Sequence, residues 1–146
     1  MDRVARELHL HRVHEKNITG ENIGVAIVDT GIRPHPDFVL PQNRIVGFFD
    51  ALSGKTIPYE DSGHGTHVAG IIGGNGYLSG GRYIGMAPKC NFIIVKVLNS
   101  KGDGFCADNV AGLKQSAEAV TFTREPVNPF GGLPGVWVGR GASCVR

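Results

Sequence analysis

The chain lacks most of the features that would place it in a specialised class. No apolar run approaches the roughly 20 residues needed to span a bilayer, so no membrane partner is expected. The first residues, MDRVARELHLHRVHEKN, contain no apolar core of the kind that drives secretion. There are only three cysteines, Cys90, Cys106 and Cys144, and no CxxC pair. An odd count at irregular spacing is a poor disulfide framework, and nothing in it suggests structural zinc. Together these absences predict a reducing, cytoplasmic setting. Charge of one sign is scarce too. Fifteen basic residues against thirteen acidic ones leave a net charge of +2, too little to suggest nucleic acid as a partner.

What is abundant is glycine, 22 of 146 residues, about twice ordinary usage. Glycine permits tight turns and close backbone approach. The hydrophobic fraction, 41%, is enough to build the core of one domain.

Three apolar runs read as strands: 23–28, 45–49 and 92–98, with Lys96 the only charge in the last. The run IGVAIV does not alternate, which suits a strand buried on both faces of a parallel sheet. HGTHVAGII at 64–72 has helical spacing and is closed by Gly73 and Gly74. A short amphipathic helix is expected within 2–14, with His9, His11 and His14 on a solvated face. A further helix is expected over 107–119. Residues 50–63 read as a polar surface loop. Strands alternating with helices predict an α/β fold with a parallel sheet. From Thr121 onward Pro and Gly punctuate the chain so densely that no strand or helix is expected there.

Asp29 directly follows the first apolar run, and functional groups in parallel sheets gather at such strand ends. It could equally cap a turn. His64 opens a helix, and a neutral imidazole is the usual general base near neutral pH. His64, His67 and Asp61 could suggest a metal, but the spacing is not that of HExxH. Gly74-Asn75-Gly76 and Gly80-Gly81 do not form a phosphate-binding GxxxxGK[ST].

VAIVDTGIRPHPDF at 25–38, DSGHGTHVAGIIGGNG at 61–76 and IGMAPKCNFIIVKVLNSKGDG at 84–104 together resemble the subtilisin-like serine proteases, in that family's chain order. The resemblance implies a three-layer α/β fold with a parallel sheet, of which only the N-terminal half is present. It divides the chain into an N-terminal extension (1–16), catalytic-domain sequence (17–114) and a divergent tail (115–146) that is not native family sequence. It implies that Asp29 orients and charge-stabilises His64, and that His64 takes a proton from a serine hydroxyl. Leu98, Gly102, Asp103 and Gly104 match the edge that binds an extended peptide or protein substrate. No cofactor is required. Asp37 matches a carboxylate that binds calcium in many members, so calcium is a candidate ligand, although the partner loop here is glycine-rich.

The family's nucleophile segment, GTSMA, is missing. Gly141-Ala142-Ser143-Cys144 resembles it faintly, but Ser143 lies only about 80 residues past His64. The resemblance therefore implies a truncated, inactive chain in which the first strand keeps an unpaired outer edge. Two alternatives remain open at this point. One is a non-catalytic protein that binds peptides. The other is half of an aspartic protease, in which Asp29-Thr30-Gly31 would supply one of two carboxylates to a nearly all-β fold.

Overall fold

A computed structural model describes residues 2–105, 112 and 114, together with the backbone of 135–139. Two short helices, α1 (Asp2–Glu7) and α2 (Leu10–Glu15), lead into β1 (Gly24–Asp29). A one-turn helix, α3 (Pro36–Val39), precedes β2 (Ile45–Asp50). The longest helix, α4 (His64–Gly73), is followed by a 3₁₀ turn at Tyr77–Ser79 and by β3 (Asn91–Lys96). The last described element is β4 (Gly135–Gly139).

The four strands form one parallel sheet in the order β2-β3-β1-β4. β1 is buried along its whole length, as its unbroken apolar run predicts. Alternate residues serve opposite faces. Val25, Ile27, Phe92 and Ile94 join Ile32, Phe38 and Ala69 in one core beneath α3 and α4. Val28, Val95, Val97 and Leu98 form the other core. Of the helix expected over 107–119, only positions 112 and 114 lie within the described residues, and both are helical. Gly112 sits so close to Val95 and Val97 that an added Cβ would lie 2.7 Å from a methyl of each. The all-β alternative does not fit this parallel sheet with its packed helix.

Five expectations need correction. The sheet has a strand within the Gly/Pro-rich tail. β4 runs parallel to β1, from Gly24 opposite Gly135 to Val28 opposite Gly139, so the outer edge of β1 is paired. Val136-Trp137-Val138 is only three residues long, too short for a periodicity signal, yet β-branched and aromatic residues suit a pleated surface once a partner strand is available. The single N-terminal helix is two helices, broken at His9, whose φ of 51° is left-handed. Nor is the histidine face wholly solvated, because Leu10 is buried and the His14 ring bonds the Met86 carbonyl at 3.0 Å. Finally, the segment 50–63 buries two of its three carboxylates, Asp50 and Glu60.

Asp50 anchors that segment. Its carboxylate accepts bonds from the Leu52 and Ser53 N–H groups, the Ser53 hydroxyl and the Tyr59 hydroxyl. Burial pulls the Asp50 carboxyl upward, but the Ser53 and Tyr59 hydroxyls and the two N–H groups outweigh it and leave it below the usual carboxylate range. A depressed folded-state value means that the associated stability is present above the unfolded value. It is lost as pH falls through the folded one. Urea midpoints should therefore hold steady above pH ~5 and fall below pH ~4. In Asp50→Asn the fall should be shallower and the midpoint at neutral pH lower.

Cys90 is fully buried and unpaired. Burial pushes its thiol up to about 11, against the opposing pull of Arg44. Peptide mapping after iodoacetamide treatment of the native chain at pH 8 should find Cys90 unmodified, with labelling only in denaturant.

Candidate active site

Asp29 is the last residue of β1 and His64 the first of α4. The fold brings them together: His64 Nδ1 lies 2.8 Å and 2.9 Å from the two carboxylate oxygens of Asp29. The Asp29 side chain is 3% exposed and that of His64 36%. One oxygen also accepts the Thr30 N–H at 2.7 Å. The carboxylate is thus oriented from behind, while the imidazole reaches the surface. His64 Nε2 has no hydrogen-bond partner among the described residues. A ring that donates through Nδ1 keeps Nε2 as a free acceptor, the arrangement a general base needs.

Close backbone approach makes this meeting possible. A Cβ on Gly65 would collide with the Gly31 carbonyl oxygen, and one on Gly31, whose φ is 117°, would collide with that of Tyr59. Gly31 also forms an antiparallel bridge to Glu60.

Beneath the pair lies a polar cluster built on Glu60 and Lys96, neither of which sequence reading made a site residue. The Glu60 carboxylate accepts bonds from Ser62 N at 2.9 Å, Thr66 N at 3.1 Å and the Thr30 hydroxyl at 3.2 Å. The Thr30 hydroxyl in turn accepts the Gly65 N–H at 3.0 Å. Burial raises the Glu60 carboxyl, but N–H donors from Ser62 and Gly63, the Thr30 hydroxyl and Thr66 N–H more than offset it and hold the group below its ordinary range. Lys96, 1% exposed, sits opposite Asp29 in the β1–β3 register. Its ammonium donates to the Thr30 carbonyl at 2.6 Å, the Leu98 carbonyl at 2.9 Å and Asp61 at 2.8 Å, with the Tyr59 ring 5.1 Å away. The available signals were a lone charge inside an apolar strand and an acid four residues before a helix-opening histidine.

The other expected site residues are placed differently. Leu98 is 1% exposed and packs among Val28, Val95 and Val97, and its N–H and carbonyl are taken by the Asp29 carbonyl and the Lys96 ammonium. Gly102, Asp103 and Gly104 form an accessible turn closed by Asn99, whose N–H donates to the Asp103 carbonyl and whose carbonyl accepts the Gly102 N–H. Gly102 has φ 84°, and a Cβ on Gly104 would overlap the Val97 carbonyl. A cavity of about 280 Å³ lies beside this turn, lined by Leu52, Asn99, Asp103, Gly104 and Phe105.

Asp37 anchors the 3₁₀ turn. Its carboxylate accepts the Leu78 N–H at 2.9 Å, and its carbonyl accepts the Asn75 N–H and a guanidinium N–H of Arg44. Calcium takes six to eight oxygens, whereas the hydrogen bonds described at the Asp37 oxygens come from N–H groups, one at its carboxylate and two at its carbonyl. Among the described residues no group of three or more His, Cys, Asp or Glu is placed to hold a metal, and His64 is engaged with Asp29 instead. No described helix is long and apolar enough to cross a membrane. Ser143, Cys106 and Cys144 lie outside the described residues.

Comparison with known proteins agrees with this geometry. The model of the Subtilase family matches residues 20–123. The chain is 50% identical over 99 residues to serine protease AprX of Bacillus subtilis, covering 68% of this chain and 22% of that protein. It is 36% identical over 101 residues to subtilisin Savinase of Lederbergia lenta, covering 69% and 35%. Among solved structures, the CspB protease of Clostridium perfringens aligns with a TM-score of 0.72 at 26% identity, covering 88% of this chain and 30% of that one. A cold-adapted subtilisin-like serine proteinase aligns with a TM-score of 0.63 at 27% identity, covering 83% and 37%. The chain thus spans about a fifth to a third of these relatives' lengths. With a family match over most of its length and an Asp–His pair at the junction of β1 and α4, this chain belongs to the subtilase family of serine proteases.

Proposed function

We propose that the chain carries the acid–base half of a serine-type endopeptidase that hydrolyses peptide bonds in protein substrates. The observation that carries this reading is the contact of His64 Nδ1 with both oxygens of the buried Asp29 carboxylate, which leaves Nε2 open to the surface. In this reading Asp29 holds the ring in the Nδ1–H tautomer and stabilises the imidazolium that forms. His64 Nε2 removes a proton from a serine hydroxyl as that oxygen attacks the substrate carbonyl, and it returns the proton to the leaving amine.

An extended substrate would lie along Gly102–Gly104. Among the described residues no hydrogen bond engages the Gly102 carbonyl or the Gly104 N–H, so the turn retains one acceptor and one donor for an added strand. The serine is the part that the sequence does not supply in the family's pattern. We infer that the chain by itself is inactive.

The purified chain should give no turnover of a broad chromogenic peptide, and mass spectrometry should find no adduct after treatment with a serine-directed fluorophosphonate. Turnover together with an adduct on Ser143 would overturn the inference of inactivity and assign the nucleophile.

A further inference from the structure

Helix α4 begins without a side-chain cap of its own. Gly63 occupies the cap position with a left-handed φ of 93°, and glycine has no oxygen to offer the first N–H groups. Those groups are satisfied from elsewhere. Gly65 N–H donates to the Thr30 hydroxyl at 3.0 Å, and Thr66 N–H to Glu60 Oε2 at 3.1 Å. The Thr30 hydroxyl donates a hydrogen bond to the same Glu60 oxygen at 3.2 Å, while Glu60 Oε1 accepts the Ser62 N–H at 2.9 Å. One buried carboxylate therefore holds both the residue that follows Asp29 and the helix turn that carries His64.

We propose that Glu60 is a positioning residue for the Asp29–His64 pair, setting the distance between strand end and imidazole without itself touching substrate. This rests on the protease reading of that pair. A carboxylate is the required group because it is an acceptor at both oxygens, and every neighbour that faces it is a donor. A carboxamide of the same shape would turn an N–H₂ toward those donors, leaving at least one of them unpaired. A negative charge at the start of α4 also complements the partial positive charge of the helix end. The Thr66 hydroxyl, which lies 3.4 Å from Glu60 Oε2, also accepts the Arg33 N–H at 2.8 Å, so the same cluster steadies the chain just beyond Gly31.

The test reads His64 directly and needs no turnover. The Nδ1 proton of His64, donated to a carboxylate, gives a downfield NMR resonance whose exchange with water reports how well the pair is held. In the full chain, Glu60→Gln should speed that exchange by roughly tenfold or broaden the resonance away, the effect of losing one charge-assisted hydrogen bond. Amide resonances of β1 and β3 should stay in place. Thr30→Val should act in the same direction, and Thr30→Ser, which keeps the hydroxyl, should restore near-native exchange. If Glu60→Gln does not fold, the contrast between Thr30→Val and Thr30→Ser decides the question. Exchange at the wild-type rate in folded Glu60→Gln or in Thr30→Val would overturn the positioning role. Asp29→Asn separates this from failure of the underlying reading. It should abolish the resonance, and a resonance that survives it would overturn the Asp–His pair and the proposal together.

Discussion

At the end of β1 two backbones come as near to one another as peptide groups can. The Gly31 carbonyl faces Gly65 with no space for a side chain between them, and Gly31 itself is pressed against the Tyr59 carbonyl. The meeting of Asp29 and His64 depends on that approach. It places the first turn of α4 over the strand end, so that a side chain from position 29 and one from position 64 meet within hydrogen-bond distance. The cost is borne by groups below the contact. Buried peptide carbonyls need donors, and the Lys96 ammonium supplies them to Thr30 and Leu98. The N–H groups at the start of the helix, which have no partner within it, need acceptors, and Glu60 with Thr30 supplies those. Lys96 and Glu60 carry opposite charges, and each is surrounded by groups of the opposite hydrogen-bonding sense.

The sheet explains why the pair is rigid on one side and accessible on the other. β1 is flanked by β3 and β4, and both of its faces are covered, so Asp29 emerges from the best-buried part of the molecule. His64 sits on a helix packed against only one face of that sheet and reaches solvent at its tip. In the proposed protease reading, a fixed carboxylate behind a surface imidazole restricts orientation and leaves proton transfer free.

Much of this was legible in the sequence, for identifiable reasons. The unbroken IGVAIV run announced a strand buried on both faces, and HGTHVAGII showed helical spacing closed by glycines. Asp29 and His64 stood at the ends of those elements, where function gathers in parallel sheets. Tertiary relations were less visible. Leu98 matched a substrate-binding segment, but the chain beyond β3 turns its side chain into the same core as Val95 and Val97. Glu60 looked like one more polar loop residue, because its importance comes from Thr30, thirty positions away in the chain. The strand at 135–139 was hidden by the glycines that bracket it, since its pairing is decided by β1 rather than by its own pattern.

The claim on which the account stands is that Asp29 and His64 interact energetically across the β1–α4 junction. A double-mutant cycle measures this most directly, with urea unfolding of the wild-type chain, Asp29→Asn, His64→Gln and the double variant. The account predicts a favourable coupling of about 1–2 kcal/mol, the size expected for a hydrogen bond to a charged group. Additivity within about 0.5 kcal/mol would mean that the two side chains do not act on one another, and it would contradict the account.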